Sequence, residues 1–184
     1  MVPERVARVE GPNLTLRLIR TEDADYVHGL RTNSTYNRYV SEVRGTAEDQ
    51  RRWIEAYKER EAVLRELYYV IERKNGTPCG LVRLYGIEAE SFTWGSWILD
   101  HNKTRKAALE SAILSFGVGF EELGLPLAHV DVRIGNEHAE AFYRRFGMTE
   151  TRHDVRDIYF VYPRGRFIRD RARYLALFAE ERAE

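Results

Sequence analysis

Two stretches of this 184-residue chain carry residue types whose spacing could do chemistry. In the first, from Trp97 to Glu110, an apolar strand-like segment runs into a loop bearing Lys103, Arg105 and Lys106 and then into a helical pattern. The first turn of a helix leaves backbone N–H groups without intrahelical partners and presents the positive end of the dipole. Strand, loop and helix in that order therefore make an anion site, and three cations strengthen it. In the second stretch, from Asn136 to Met148, Asn136 reads as a helix N-cap and Gly147 as the stop. Ala139 and Tyr143, four apart, share one face of that helix. Taken alone, Phe142 and Tyr143 would also serve as core.

These stretches need a frame to hold them. Leu14 to Ile19 alternates apolar and polar residues, the period of a half-buried strand, and Thr21 followed by acids opens a helix. Thr46 repeats the start signal, and Trp53, Ile54, Tyr57, Val63 and Leu64 recur at helical spacing. Tyr68 to Glu72, Asn75-Gly76 and Cys79 to Tyr85 read as a hairpin, the turn supplied with the positive φ angles it needs by Asn-Gly. Ser91 to Leu99 continues the meander. A long helix from Arg105 or Lys106 to Leu123 is stopped by Gly124, a short strand covers Leu127 to Val132, and Asn136 to Phe146 is a compact helix. In the last segment, Tyr159 to Leu177, the run Phe167 to Leu177 fits an edge strand or a helix, and a strand is expected. Strands alternating with helices after an antiparallel hairpin predict an α/β fold of the α+β type, a mixed, mostly antiparallel sheet flanked by helices.

Composition narrows the function classes. Hydrophobic residues at 43%, charged residues at 32% and a mean hydropathy of −0.51 describe a globular chain, expected as a single domain over residues 1–184. No apolar run approaches the roughly 18 to 20 residues of a membrane span. The opening Met1 to Arg5 lacks the apolar segment of a secretory signal, so a cytoplasmic location is expected. The single cysteine, Cys79, excludes an internal disulfide, and five scattered histidines give no metal-ligand spacing, so no metal is expected. Twenty-nine basic against twenty-nine acidic residues argue against a nucleic-acid-binding role, although Arg144 to Arg173 holds nine arginines against four acids.

Together the two stretches resemble the GNAT superfamily of acetyl-CoA-dependent N-acetyltransferases. The later family pattern, Asn-x-x-Ala-x-x-x-Tyr-x-x-x-Gly and then an apolar residue, is met by Asn136, Ala139, Tyr143, Gly147 and Met148. The family's loop pattern, Gln or Arg, two residues, Gly, one residue, Gly or Ala, falls on Lys103, Lys106 and Ala108, and Glu110 stands where the family helix often carries Glu. Leu30 to Asn33, Tyr39-Val40 and Gln50 to Ile54 are similar to the first helices of the branch that includes amino-sugar and ribosomal-protein acetyltransferases. The loop departs from the pattern at Lys106, which replaces a glycine: either its ammonium offsets the less accessible backbone, which is the expectation here, or its bulk closes the site.

The resemblance implies a sheet that splays between the Ser91–Leu99 and Leu127–Val132 strands, with acetyl-CoA entering the gap. It assigns the cofactor to the backbone of Ile98 and Leu99, to the loop residues Lys103, Thr104, Arg105, Lys106, Ala107 and Ala108, and to Asn136, Ala139, Phe142 and Tyr143. It also makes Tyr143 the acid that protonates the departing thiolate. The general base stays open: Thr93 stands where relatives often carry Glu, with Glu88, Glu90, Tyr85, Asp131 and His129 as alternatives. Tyr36, Tyr39, Trp53, Tyr57, Tyr85 and Trp94 offer flat faces to an acceptor. The acceptor expected is a small-molecule primary amine, such as an amino sugar on a nucleotide carrier, with a protein N-terminus or a non-catalytic acyl-CoA-binding role as alternatives. A homodimer is compatible with this reading.

Overall fold

The computed structural model describes residues 1–181. In chain order, α1 (Glu4–Ala7), β1 (Arg8–Glu10) and β2 (Leu14–Leu18) lead through a single 3-10 turn to α2 (Ala24–Thr32) and α3 (Ala47–Ala62). The meander β3 (Leu67–Arg73), β4 (Pro78–Tyr85) and β5 (Ser91–Leu99) follows, then α4 (Ala107–Gly117) with a π-helical turn over Val118–Glu122. The chain ends with β6 (Leu127–Arg133), α5 (Glu137–Phe146), β7 (Thr149–His153), β8 (Asp157–Pro163) and α6 (Arg164–Glu181). The eight strands form one sheet in the order β1-β2-β3-β4-β5-β6-β8-β7. Every neighbouring pair is antiparallel except β5 and β6, which run parallel across the α4 crossover. Among the described residues no helix is long and apolar enough to cross a membrane.

Strand alternation divides the core into two layers. On β3, Leu67, Tyr69 and Ile71 point to the layer covered by α4, α5 and α6, while Tyr68 and Val70 point to the layer covered by α2 and α3. The first layer is rich in rings: Phe116 lies between Trp94 at 4.7 Å and Phe146 at 5.6 Å, and Phe146 stacks on Tyr174 at 4.9 Å. The β3–β4 turn is longer than a two-residue hairpin. Only Gly76 takes a positive φ, +86°, while Asn75 uses its side chain to accept from the Thr77 N–H at 3.0 Å.

The tail differs from the strand expected over Tyr159 to Leu177. The strand stops at Pro163, whose ring removes a ladder donor, and α6 starts at the next residue. Phe167, Tyr174 and Phe178, spaced by seven and four, fall on one helical face and are all buried, with the Tyr174 hydroxyl donating to the Phe146 carbonyl at 2.8 Å. Many of the tail arginines meet local carboxylates: Arg144 pairs with Glu140 and Glu150, Arg166 with Asp170 and Arg171 with Glu121.

Glu110, one turn into α4, is 1% exposed and accepts from the Asn13 backbone N–H and side-chain amide, both at 3.0 Å, and from the Leu14 N–H. It thus ties the helix behind the cationic loop to the start of β2. A Glu110→Ala variant leaves two backbone donors unpaired and is expected to lose roughly 2–4 kcal/mol, read as a lower thermal midpoint. A variant that melts with the parent would show that water replaces the carboxylate at no cost.

Candidate active site

Strands β5 and β6 share only three rungs, Ser91–Leu127, Phe92–Ala128 and Thr93–His129. Beyond them the strands part. Because they are parallel, both C-terminal ends, and the helices α4 and α5 that follow, lie at the open end of the gap.

A bulge opens it. Leu81 of β4 faces Ile98, but Arg83 faces Gly95, so Ser96 and Trp97 together stand opposite Val82. Ser96 sits at φ +49°, a left-handed conformation that costs a non-glycine residue on the order of 1–3 kcal/mol. The extra residue reverses the facing of the strand's second half. Trp94 and Trp97 therefore both reach α4, their indole N–H groups donating to Ser115 Oγ at 2.8 Å and Ser111 Oγ at 3.1 Å. Ile98 turns to the opposite layer. The Asp100 N–H donates to the Cys79 carbonyl, so the alternation of the ladder directs the peptide groups of Ile98 to β4 and those of Leu99 into the gap.

The loop after β5 is built on Asp100, 3% exposed, whose carboxylate accepts from the Asn102 N–H and from the Tyr26 hydroxyl, both at 2.7 Å. The Tyr36 hydroxyl takes the His101 N–H at 3.2 Å. Both tyrosines precede α3, so the loop is held by the same elements that wall the cleft described below. Lys103 to Ala108 then wrap the start of α4. Lys106 occupies the N-cap position at φ −105°, where no glycine is required, and its ammonium donates to the Leu177 carbonyl of α6 at 2.7 Å.

Across the gap, the Asn136 side chain accepts from the Ala139 N–H at 3.3 Å, and Gly147 at φ +104° ends α5. This fixes the helix rotation that turns Tyr143 inward. Tyr143 is 6% exposed and lies edge-on to Trp94 at 5.9 Å, with Phe160 at 6.0 Å and Trp97 at 6.4 Å. Phe142 packs on Trp97 at 5.1 Å. Among the described residues no side chain hydrogen-bonds the Tyr143 hydroxyl. Burial, then the charge of Asp131 and then Tyr85 push its pKa above the usual phenol range, so it stays protonated at neutral pH.

Tyr143 opens into a cleft of about 330 Å³ lined also by Tyr36, Tyr39, Tyr85, Ser96, Asp131 and Asn136. Of the candidate bases, Tyr85 and Asp131 reach this cleft. Thr93 and His129 face each other on the last rung before the split, and Glu88 and Glu90 lie in the exposed turn between β4 and β5. Asp131 keeps solvent contact, yet the cleft walls strip part of its hydration. That loss, followed by the neighbouring Asp157, raises its pKa above the ordinary carboxylate range against Arg133 and Arg156. Cys79 is buried, and burial followed by Asp100 pushes its thiol up to about 12, which leaves it inert at neutral pH.

Of the aromatic residues considered for the acceptor, Tyr36, Tyr39 and Tyr85 line the cleft, whereas Tyr57 and Trp94 are core at 0% exposure. Trp53 walls a second hollow that shares Ser41 and Arg83 with the first. Arg83 and Arg31 stand outside the candidate residues that the sequence motifs single out; a charge inside the apolar run Leu81 to Leu84 is the available signal for the first.

Comparison with known proteins gives the following. A family model described as an acetyltransferase (GNAT) domain matches residues 13–149. A structure of apo FdhC, a nucleotide-linked sugar GNAT, matches with a TM-score of 0.84 and 35% identity over 91% of this chain and 96% of its own. Spermidine N-acetyltransferase from Vibrio cholerae, in complex with CoA and spermine, matches with a TM-score of 0.76 and 20% identity over 86% of this chain and 99% of its own. A GNAT-family acetyltransferase from Bacillus anthracis gives 0.72 and 16% over 86% and 99%. The last two share the fold. Among curated protein sequences there is no match.

Proposed function

Given that the chain belongs to the GNAT acetyltransferase family, whose acetyl donor is acetyl-CoA, we propose that it acetylates the primary amine of a small molecule, an amino sugar linked to a nucleotide. The observation that carries this reading is the 35% identity over 91% of the chain to a nucleotide-linked sugar GNAT. A cleft walled by Tyr36, Tyr39 and Tyr85 supports it, since flat faces with polar tips suit a sugar ring.

The residues present fit the donor. The unpaired edge of β5 beyond Thr93 offers peptide groups to an amide-bearing arm, with Leu99 directed into the gap. Ala107 and Ala108 lie in the first turn of α4; the Ala107 N–H already meets the Thr104 carbonyl at 3.2 Å, the Ala108 N–H lacks a helical partner and suits a pyrophosphate, and Lys103, Thr104, Arg105 and Lys106 surround that turn. Asn136, Ala139 and Phe142 form the facing wall. Acetyl-CoA supplies an acyl group already activated as a thioester. The protein's part is to hold the amine in line, worth several kcal/mol of barrier, and to manage two protons. Tyr143 Oη, kept protonated by burial, gives its proton to the leaving sulfur. The Asp131 carboxylate, its affinity for a proton raised by the cleft and by Asp157, takes one from the attacking ammonium.

The test is an acceptor screen with acetyl-CoA and thiol detection across nucleotide-linked amino sugars, free amino sugars, amino acids, polyamines and short peptides. A nucleotide-linked amino sugar is expected to give the highest kcat/KM; a polyamine or peptide in that place would overturn the reading. With the best acceptor, kcat/KM should rise with pH through the raised pKa of Asp131, because the base works only when deprotonated. Asp131→Asn should lower kcat/KM by roughly 10²-fold and remove that acid limb. An unchanged limb in the variant would assign the base elsewhere.

A further inference from the structure

Beside the catalytic cleft, a second hollow of about 330 Å³ lies between α3 and β4, lined by Arg31, Ser41, Glu42, Arg44, Asp49, Gln50, Trp53 and Arg83. Its charges do not balance. Asp49 is occupied at the start of α3, where it accepts from Thr46, and Glu42 faces Arg44 at 3.4 Å. Glu66 is shared between Arg60 at 2.6 Å and Arg83 at 3.1 Å. Arg31 has no carboxylate within ion-pair distance among the described residues; its guanidinium donates to the Ser41 carbonyl at 3.2 Å and to Ser41 Oγ at 2.7 Å. Loss of water around Arg31, joined by the like charge on Arg83 and only partly opposed by Tyr68, makes its protonated form harder to keep, the reverse of what a satisfied ion pair does.

Unpaired donors gather at this hollow and directly behind it. Tyr68, 0% exposed, does not line the hollow; its hydroxyl lies behind Arg31, outside hydrogen-bonding geometry with any group. The Nε of Arg83, whose guanidinium covers the Tyr68 and Tyr85 rings at 5.6 and 4.3 Å, is also buried and unpaired. Two Arg31 nitrogens remain beyond the Ser41 bonds. An anion with several oxygens seated in the hollow would take the remaining Arg31 N–H groups and offset the charge of both guanidiniums. From this geometry we infer that Arg31 and Arg83, with Tyr68 buried behind Arg31 to position it, form a subsite for the diphosphate of the acceptor, separate from the loop before α4. Because Arg83 and Ser41 line both hollows, a diphosphate here would extend its attached sugar toward Tyr143 and Asp131. The inference rests on the nucleotide-linked acceptor proposed above.

The experiment is calorimetry on the full chain saturated with CoA, so that the donor's own phosphate site is filled. The probes are uridine diphosphate, inorganic pyrophosphate and uridine. Both diphosphates are expected to bind and uridine not to. Arg31→Gln should weaken diphosphate binding roughly 10- to 100-fold and Tyr68→Phe about three- to tenfold, with Arg31→Lys between parent and Arg31→Gln. Tyr68→Phe keeps the ring packing, so it remains informative if an arginine variant folds poorly. Parental affinity in both Arg31→Gln and Tyr68→Phe, or uridine binding as tightly as its diphosphate, overturns the subsite. If the screen finds a nucleotide-linked acceptor whose KM is unmoved by Arg31→Gln, the subsite fails while the function stands. If diphosphate binds through Arg31 but no nucleotide-linked amine is acetylated, the function fails and the subsite stands.

Discussion

A Tyr143→Phe enzyme is expected to bind acetyl-CoA as the parent does while its kcat falls by roughly 10²- to 10⁴-fold. The substitution removes one oxygen. Ring contacts with Trp94, Trp97 and Phe160 are kept, and the hydroxyl has no side-chain partner to strand, so stability should change little. On the proposed mechanism, what is lost is the proton that this phenol, neutral at neutral pH, gives to the leaving sulfur. A thiolate is a tolerable leaving group, with a thiol pKa of about 8.5, so the loss falls toward the lower figure where water reaches the sulfur. Steady-state kinetics with the best acceptor decide the matter: parental kcat would make Tyr143 a packing residue and give proton delivery to solvent.

The largest stability effect is expected at Arg17. Its guanidinium reaches Asp23 at 2.8 Å and Glu72 at 2.5 Å, with all three side chains 12–13% exposed. The triad fastens β2 and β3 to the turn that starts α2, the helix whose Tyr26 holds Asp100 under the cationic loop. Arg17→Met strands two carboxylates and should cost about 3–5 kcal/mol at neutral pH, or roughly 6–20 °C in the midpoint of a circular-dichroism melt. The pH dependence has a definite sign. Burial alone would raise the Asp23 pKa, but the Arg17 fork and the Arg20 N–H outweigh it and the pKa is lowered. Such a carboxylate contributes stability that is present above its unfolded value of about 3.9 and is lost as pH falls through the folded one. The gap between parent and variant should therefore be widest near pH 7 and narrow as acid neutralises Asp23. An equal gap at both pH values would mean that Arg17 acts through packing of its aliphatic stem.

What could be seen in the sequence was what neighbours along the chain decide. Asn136, the 3.6-residue spacing of Ala139, Phe142, Tyr143 and Phe146, and Gly147 specify the cap, face and end of α5 within a dozen residues, and the structure has all three. The β3–β4 hairpin and the limits of β5 were similarly local. The tail was not: Phe167 to Leu177 alternates apolar and charged residues as well as it fits a helix, and only burial of Phe167, Tyr174 and Phe178 on the ring-rich layer selects the helix. The bulge at Ser96 left no trace, because serine carries no preference for the left-handed backbone that the splayed sheet imposes. Arg31 and Arg83 are 52 positions apart, and their approach depends on how α2 lies across β4, which periodicity does not encode.

The placement of β8 between β6 and β7 leaves the sheet with β1 and β7 as its edges. An open sheet of eight strands is a template for accretion, since each edge presents unpaired peptide groups to any passing strand. Here both edges resist it. β1 is only Arg8-Val9-Glu10, and β7 is Thr149 to His153, with Glu150, Arg152 and His153 among its five residues and a register break after Glu150. Short length, mixed charge and an interrupted ladder deny a second chain the continuous flat rail that fibril growth requires. Self-association through either outer edge is thereby disfavoured, and the splay between β5 and β6 is left as an inner edge that offers its peptide groups to a strand-like ligand.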